Sequence, residues 1–163
     1  MKSTIAVIAI SVVLLFMGLW YTSTPKENKV LAGESVPIQG QQHIKVSASH
    51  PPYNSNPPSS GWHYANPAKW GVHEEELPDE QVIHNLEHGG IWITYKDLSA
   101  DELESLTKLA RLPKVIMTPR ATNDASIALV SWGQVQKLGS FDEDAILNFI
   151  TTNRNQSPEP YAN

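Results

Sequence analysis

The stretch His84-Asn85-Leu86-Glu87-His88-Gly89-Gly90 sets two imidazoles four residues apart, with a carboxylate between them and a glycine pair behind them. On a helix, residues at that spacing share one face, with Cβ atoms roughly 5–6 Å apart. One metal ion bridges such a span. Imidazole binds zinc, copper, iron and nickel near neutral pH without an unusual pKa. A metal centre needs three or four convergent donors, so the others must come from elsewhere in the chain. His63 follows Ser60-Gly61, a turn that aims its ring back toward the helix, and is the third candidate. His43 is a fourth. Met117, in a short apolar run before Pro119, is another. Three imidazoles with a thioether favour copper, because thioether is soft; imidazoles alone suit zinc and copper equally. Glu87 serves as a ligand or orients one of the rings. The chain has no cysteine, so neither thiolate ligands nor disulfides are available to it.

Each of these residues also has a plainer reading. His88, next to Gly89, stabilises a helix C-terminus as a cation. His63 hydrogen-bonds within its turn, and Met117 packs in a core. His84-x-x-Glu87-His88 matches the inverted zincin motif, in which the glutamate is the general base of a zinc hydrolase. Those peptidases are larger and take a third ligand from a separate helix. The later acids here include Glu143, which reads as part of a helix cap, and Glu159, near the end of the chain. Ser59 and Ser60 lack the Gly-x-Ser-x-Gly elbow and suit turn hydrogen bonds instead. Gly89-Gly90 precedes a strand rather than a helix, the wrong order for a phosphate loop.

The elements that must position these residues follow from pattern. Pro78 opens a helix, with Asp79 and Glu80 at its positive end, and Gly89 closes it as a left-handed cap. Ile91–Tyr95 reads as a strand. Ser99 and Glu102 form a capping box, with Leu98 and Leu103 as a staple, for a helix to Arg111. Lys114–Thr118 and Ile127–Trp132 read as strands close enough for a hairpin, the second closed by Gly133. Ser140 and Glu143 form another capping box, for a helix carrying Ala145, Ile146, Phe149 and Ile150. The sum is an α+β domain with a small, mainly antiparallel sheet and two or three helices. Ahead of it, Gln41 to Pro78 is rich in proline, serine, asparagine and aromatics and holds His43, His50, His63 and His73. A long irregular segment of this kind is usually functional, and its aromatics argue for packing.

The N-terminus differs from the rest. Ile5–Tyr21 is apolar apart from Ser11 and Gly18, with Lys2 before it and Lys26 and Lys29 after it. As a helix it spans about 25 Å, slightly short of the hydrocarbon thickness, with Trp20 and Tyr21 at the interface. The expected organisation is a transmembrane anchor over 1–24, a tether over 25–40, one extracytoplasmic domain over 41–155 and a loose tail over 156–163. From Val30 onward nine Lys/Arg stand against sixteen Asp/Glu, a net charge of −7. There is no basic patch, which excludes nucleic acid and anionic lipid as partners.

Strung together, the distinctive residues are His43, Tyr53-Asn54, Pro57-Pro58-Ser59-Ser60-Gly61-Trp62-His63, Trp70-Gly71, His84-Asn85-Leu86-Glu87-His88-Gly89-Gly90, Tyr95 and Trp132-Gly133. This pattern, from about His43 to Gly133, resembles the mostly bacterial family known as domain of unknown function 3105, whose members often follow a signal or anchor segment. The resemblance implies that His43, His63, His84 and His88 belong to a shared pattern. His73 stands where that pattern leads one to expect an aromatic. The reading that results is a membrane-anchored, extracytoplasmic domain binding a transition-metal ion, copper first and zinc second, for metal binding, delivery or sensing. One alternative is a membrane-tethered protein-interaction module with structural histidines, whose proline-rich loop contacts a partner protein. The other is a small zinc hydrolase with Glu87 as base.

Overall fold

The computed structural model describes residues 30–160. The expected anchor over 1–24, the start of the expected tether and residues 161–163 lie outside these. Among the described residues no helix is long and apolar enough to cross a membrane.

In chain order the elements are β1 (Glu34–Ser35), β2 (His43–Ile44), β3 (His63–Tyr64), β4 (Gly71–Val72), α1 (Asp79–Glu87), β5 (Ile91–Tyr95), α2 (Ala100–Leu109), β6 (Val115–Pro119), β7 (Ile127–Ser131), β8 (Gln134–Leu138) and α3 (Glu143–Asn153). Six strands form one sheet in the order β1-β8-β7-β5-β6-β4, and β2 and β3 form a separate parallel pair. The sheet is mostly antiparallel, in an α+β fold. Its antiparallel pairs are β1/β8, β8/β7 and β7/β5; β5/β6 and β6/β4 are parallel. The parallel β5/β6 pair follows from α2, since a helical crossover returns the chain in the same direction.

That crossover also corrects the expected hairpin between the last two predicted strands. β5 lies between β6 and β7, so those two do not pair. β7 turns instead into β8, whose pattern of three polar residues around Val135 and Leu138 carries little strand signal. Gly133 makes this turn at φ +69°, a conformation with little cost for a residue that has no Cβ.

Because strand side chains alternate, the sheet has two apolar faces. Ile91, Ile93, Val115, Met117, Ile127 and Leu129 pack with Leu106 of α2 and Ile146, Phe149 and Ile150 of α3. Trp92, Ile116, Val130 and Val135 pack with Val82, Ile83 and Leu86 of α1 and with Trp132. Burial on both faces explains why Ile91-Trp92-Ile93 is an unbroken apolar run.

α2 starts at the expected capping box, with Ser99 and Glu102 each bonded to the other's backbone N–H. α3 does not start at Ser140. Its N-cap is Asp142, whose side chain accepts from the Ala145 N–H at 3.0 Å. The start of α1 is pinned to the sheet by Arg120, which forks onto Asp79 (Nε–Oδ1 2.9 Å, Nη2–Oδ2 2.8 Å) and donates to Asn56 at 2.6 Å.

Two expected boundaries are corrected. Residues 31–40 are part of the fold rather than a tether. β1 pairs with β8, and Ala32 exchanges two backbone bonds with the Asn153 amide at 2.9 and 2.8 Å. The tail is likewise tied down as far as Pro160. The Asn155 N–H donates to Gly89 O at 2.9 Å, and the Glu159 N–H to Glu87 O at 3.1 Å.

Candidate functional site

The motif His84–Gly90 can be read residue by residue. Leu86 fills the core under α1. Asn85 is fully buried and clamps the backbone of Ala68, accepting from its N–H and donating to its carbonyl, both at 2.9 Å. Gly89 leaves the helix at φ +81°. At Gly90 a Cβ would lie 2.6 Å from both Asn85 O and the Trp70 ring. These four residues fix the helix end. His84, Glu87 and His88 remain, on one helical face.

The short β2/β3 ladder supplies the rest. Its register sets His43 directly opposite His63, and β3 runs beside α1. The rings of His43 and His63 are 4.7 Å apart, those of His43 and His84 5.0 Å, those of His63 and His84 5.1 Å, and those of His84 and His88 4.5 Å. His63 Nε2 faces Glu87 Oε2 at 3.0 Å, and His43 Nε2 lies 3.9 Å from the same oxygen. His84 Nε2 faces His88 Nε2 at 3.1 Å. The donor atoms gather into two sets that share His84, namely His43/His63/His84 and His84/Glu87/His88, each mutually within 4.8 Å. His63, His84, Glu87 and His88 are buried, while the His43 side chain is half exposed.

The backbone fixes which nitrogen of two rings is free. His63 donates its Nδ1–H to Gly61 O at 2.8 Å, and His84 donates its Nδ1–H to Tyr64 O at 2.6 Å. A carbonyl only accepts, so Nδ1 of both rings holds a proton; this leaves the His84 Nε2 lone pair turned into the cluster, while His63 Nε2 faces the Glu87 carboxylate, with a proton or an ion between them. Burial holds the His84 pKa below the usual imidazole value, with the neighbouring rings of His88, His63 and His43 pushing the same way against the opposing bond to Tyr64. His84 thereby stays a neutral donor.

Four of the five expected ligands therefore come together. Met117 does not. It is fully buried among Ile91, Ile93 and Leu129, on the sheet face opposite α1. β6 turns Ile116, not Met117, toward the cluster side. His50 lies apart, stacked on Trp62 and 3.1 Å from Glu80, and His73 is half-buried, with Nε2 2.8 Å from Lys69 O. Three further groups border the cluster, and of these only the Tyr64 carbonyl left no trace in the sequence reading. Trp132 stands edge-on to His63 with centroids 6.5 Å apart. The Tyr64 carbonyl orients His84. Glu159 brings Oε2 to 3.7 Å from His88 Nε2. On the solvent side His43, Lys45, Tyr64 and Gln81 line an open cavity of about 650 Å³.

An α+β domain with a buried cluster of imidazoles and one carboxylate is thus the class that fold and site define. The chain belongs to the family described as Protein of unknown function (DUF3105), which it matches over residues 45–163. That match includes His63, His84, Glu87, His88 and Glu159, begins just after His43, and extends past Gly133 to the end of the chain. No curated protein and no solved structure matches it.

Proposed function

We propose that the cluster holds one divalent transition-metal ion, zinc or copper(II), with His84 as the central donor and His88, His63, His43 and Glu87 around it. The observation that carries this is the convergence of His43, His63, His84, Glu87 and His88 into two donor sets that share His84, with the Nδ1 protons of His63 and His84 spent on backbone carbonyls. Orientation of a ring by a hydrogen bond at its other nitrogen is the usual support of a metal-bound histidine. Bonds of about 2.0–2.1 Å set adjacent nitrogen ligands roughly 3.0–3.3 Å apart, matching the 3.1 Å between His84 and His88. With Met117 on the far side of the sheet, the donor that favoured copper over zinc is gone, and imidazole with carboxylate suits both ions. The role is metal binding, delivery or sensing. The apolar run Ile5–Tyr21 supports holding the domain at the outer face of a bacterial cell membrane.

Full-length protein purified without a His-tag, analysed for metals beside the His84→Ala/His88→Ala variant, tests the reading. About one equivalent of zinc or copper, lost in the variant, is expected. Zinc at a hundredfold excess over its Kd also adds about 2.7 kcal/mol of stability by mass action. No bound metal and no thermal shift with zinc or copper(II) would sink the reading and leave the histidines structural.

A further inference from the structure

We infer that Glu159 is a ligand of the same ion, delivered by a backbone clasp formed by residues 155–160; this rests on reading the cluster as a metal centre. Glu159 Oε2 lies 3.7 Å from His88 Nε2. That is too long for a hydrogen bond. It is near the roughly 3.0–3.5 Å that separates adjacent ligands of one ion with bonds of about 2.0–2.2 Å.

The segment that carries Glu159 has no helix or strand, yet it is fastened beside the cluster at several points. The Asn155 N–H donates to Gly89 O and the Glu159 N–H to Glu87 O, the carbonyl of a ligand residue. Lys114 Nζ donates both to His88 O at 3.0 Å and to Pro160 O. A Cβ on Gly89 would lie 2.8 Å from Asn155 Cα, so this glycine is needed for the clasp to pass as well as for the helix to end. The Glu159 side chain is 57% exposed, against 11% for His88 and 4% for Glu87. The clasp therefore places a carboxylate at the rim of a buried donor set, where it can leave and rebind without moving the core.

The test uses full-length protein and Glu159→Gln, with Glu143→Gln, in the first turn of α3, as control. Zinc affinity is measured by competition, zinc release by excess chelator, and the ligand set by the visible spectrum of the cobalt(II) form. Glu159→Gln should bind zinc at least tenfold more weakly, in the range seen when a supporting group of a metal site is lost. It should release zinc correspondingly faster and shift the cobalt spectrum, while Glu143→Gln behaves as wild type. Wild-type affinity, release and spectrum in Glu159→Gln would overturn the ligand role and leave the histidine centre standing. Wild-type protein that binds neither ion would overturn both.

Discussion

Replacing Asn85 with alanine should cost more than any exposed change on α1, for a reason local to the motif. The Asn85 amide satisfies both backbone groups of Ala68, each at 2.9 Å, in a fully buried setting. Alanine removes both partners and gives no route for water. A stranded buried polar group costs about 1–3 kcal/mol. Two of them, partly relaxed, give about 2–4 kcal/mol. For a domain of this size, about 3–4 °C is lost per kcal/mol, so the midpoint should fall by about 6–16 °C. Urea unfolding followed by tryptophan fluorescence reads the loss as a lower midpoint at constant slope. Asn85→Asp separates the two bonds. It keeps an acceptor for the Ala68 N–H but turns a carboxylate toward the Ala68 carbonyl, so at neutral pH it should be at least as damaging as alanine. A loss below about 0.5 kcal/mol in Asn85→Ala, or a neutral Asn85→Asp, would refute the clamp.

Gly90→Ala must push a Cβ against Asn85 O and the Trp70 ring, each at 2.6 Å, and should lose about 1–3 kcal/mol in the same assay. Gly139→Ala, with nothing within 4 Å, should stay within about 0.5 kcal/mol. Met117→Leu should leave zinc stoichiometry unchanged and cost less than about 1.5 kcal/mol; a lost ion would return Met117 to the site. Tyr53 donates to Trp62 O at 2.6 Å, and burial first, then the carboxylates of Glu80 and Asp79, raise its pKa. The folded protein then keeps a phenolic proton that the unfolded chain releases above about pH 10, so stability falls as pH rises past that value. Tyr53→Phe should be less stable at neutral pH and show a shallower alkaline decline in pH-dependent urea midpoints.

What the sequence made legible was local. The Ser99–Glu102 capping box names its helix because both partners lie within one turn. Ser140-x-x-Glu143 fits the same template, but Asp142 captures the Ala145 N–H two residues later, and spacing alone does not rank the two. The four clustered histidines were legible as candidate donors by residue type, but it was the family pattern, not spacing, that grouped them, since each alone has a plainer role. Met117 was not. Alternation says that Ile116 and Met117 point to opposite faces, while only the packing of α1 says which face the cluster occupies. Glu159 was out of reach because the contacts that hold its segment come from main-chain N–H groups and a distant lysine, which leave no mark on local composition.

The parallel β2/β3 ladder has a consequence for the chain as a polymer. His63 lies within the irregular proline-rich segment, and Glu87 is 24 positions further along. An ion that joins them is a cross-link. A covalent tie closing a loop of about 15 residues restricts the unfolded ensemble by about 3 kcal/mol, and closure cost grows only slowly with loop length. In a chain without cysteine, the ion would take the place that a disulfide holds in other domains. Stripping the metal should therefore expose residues 41–70 to proteases before the sheet itself gives way.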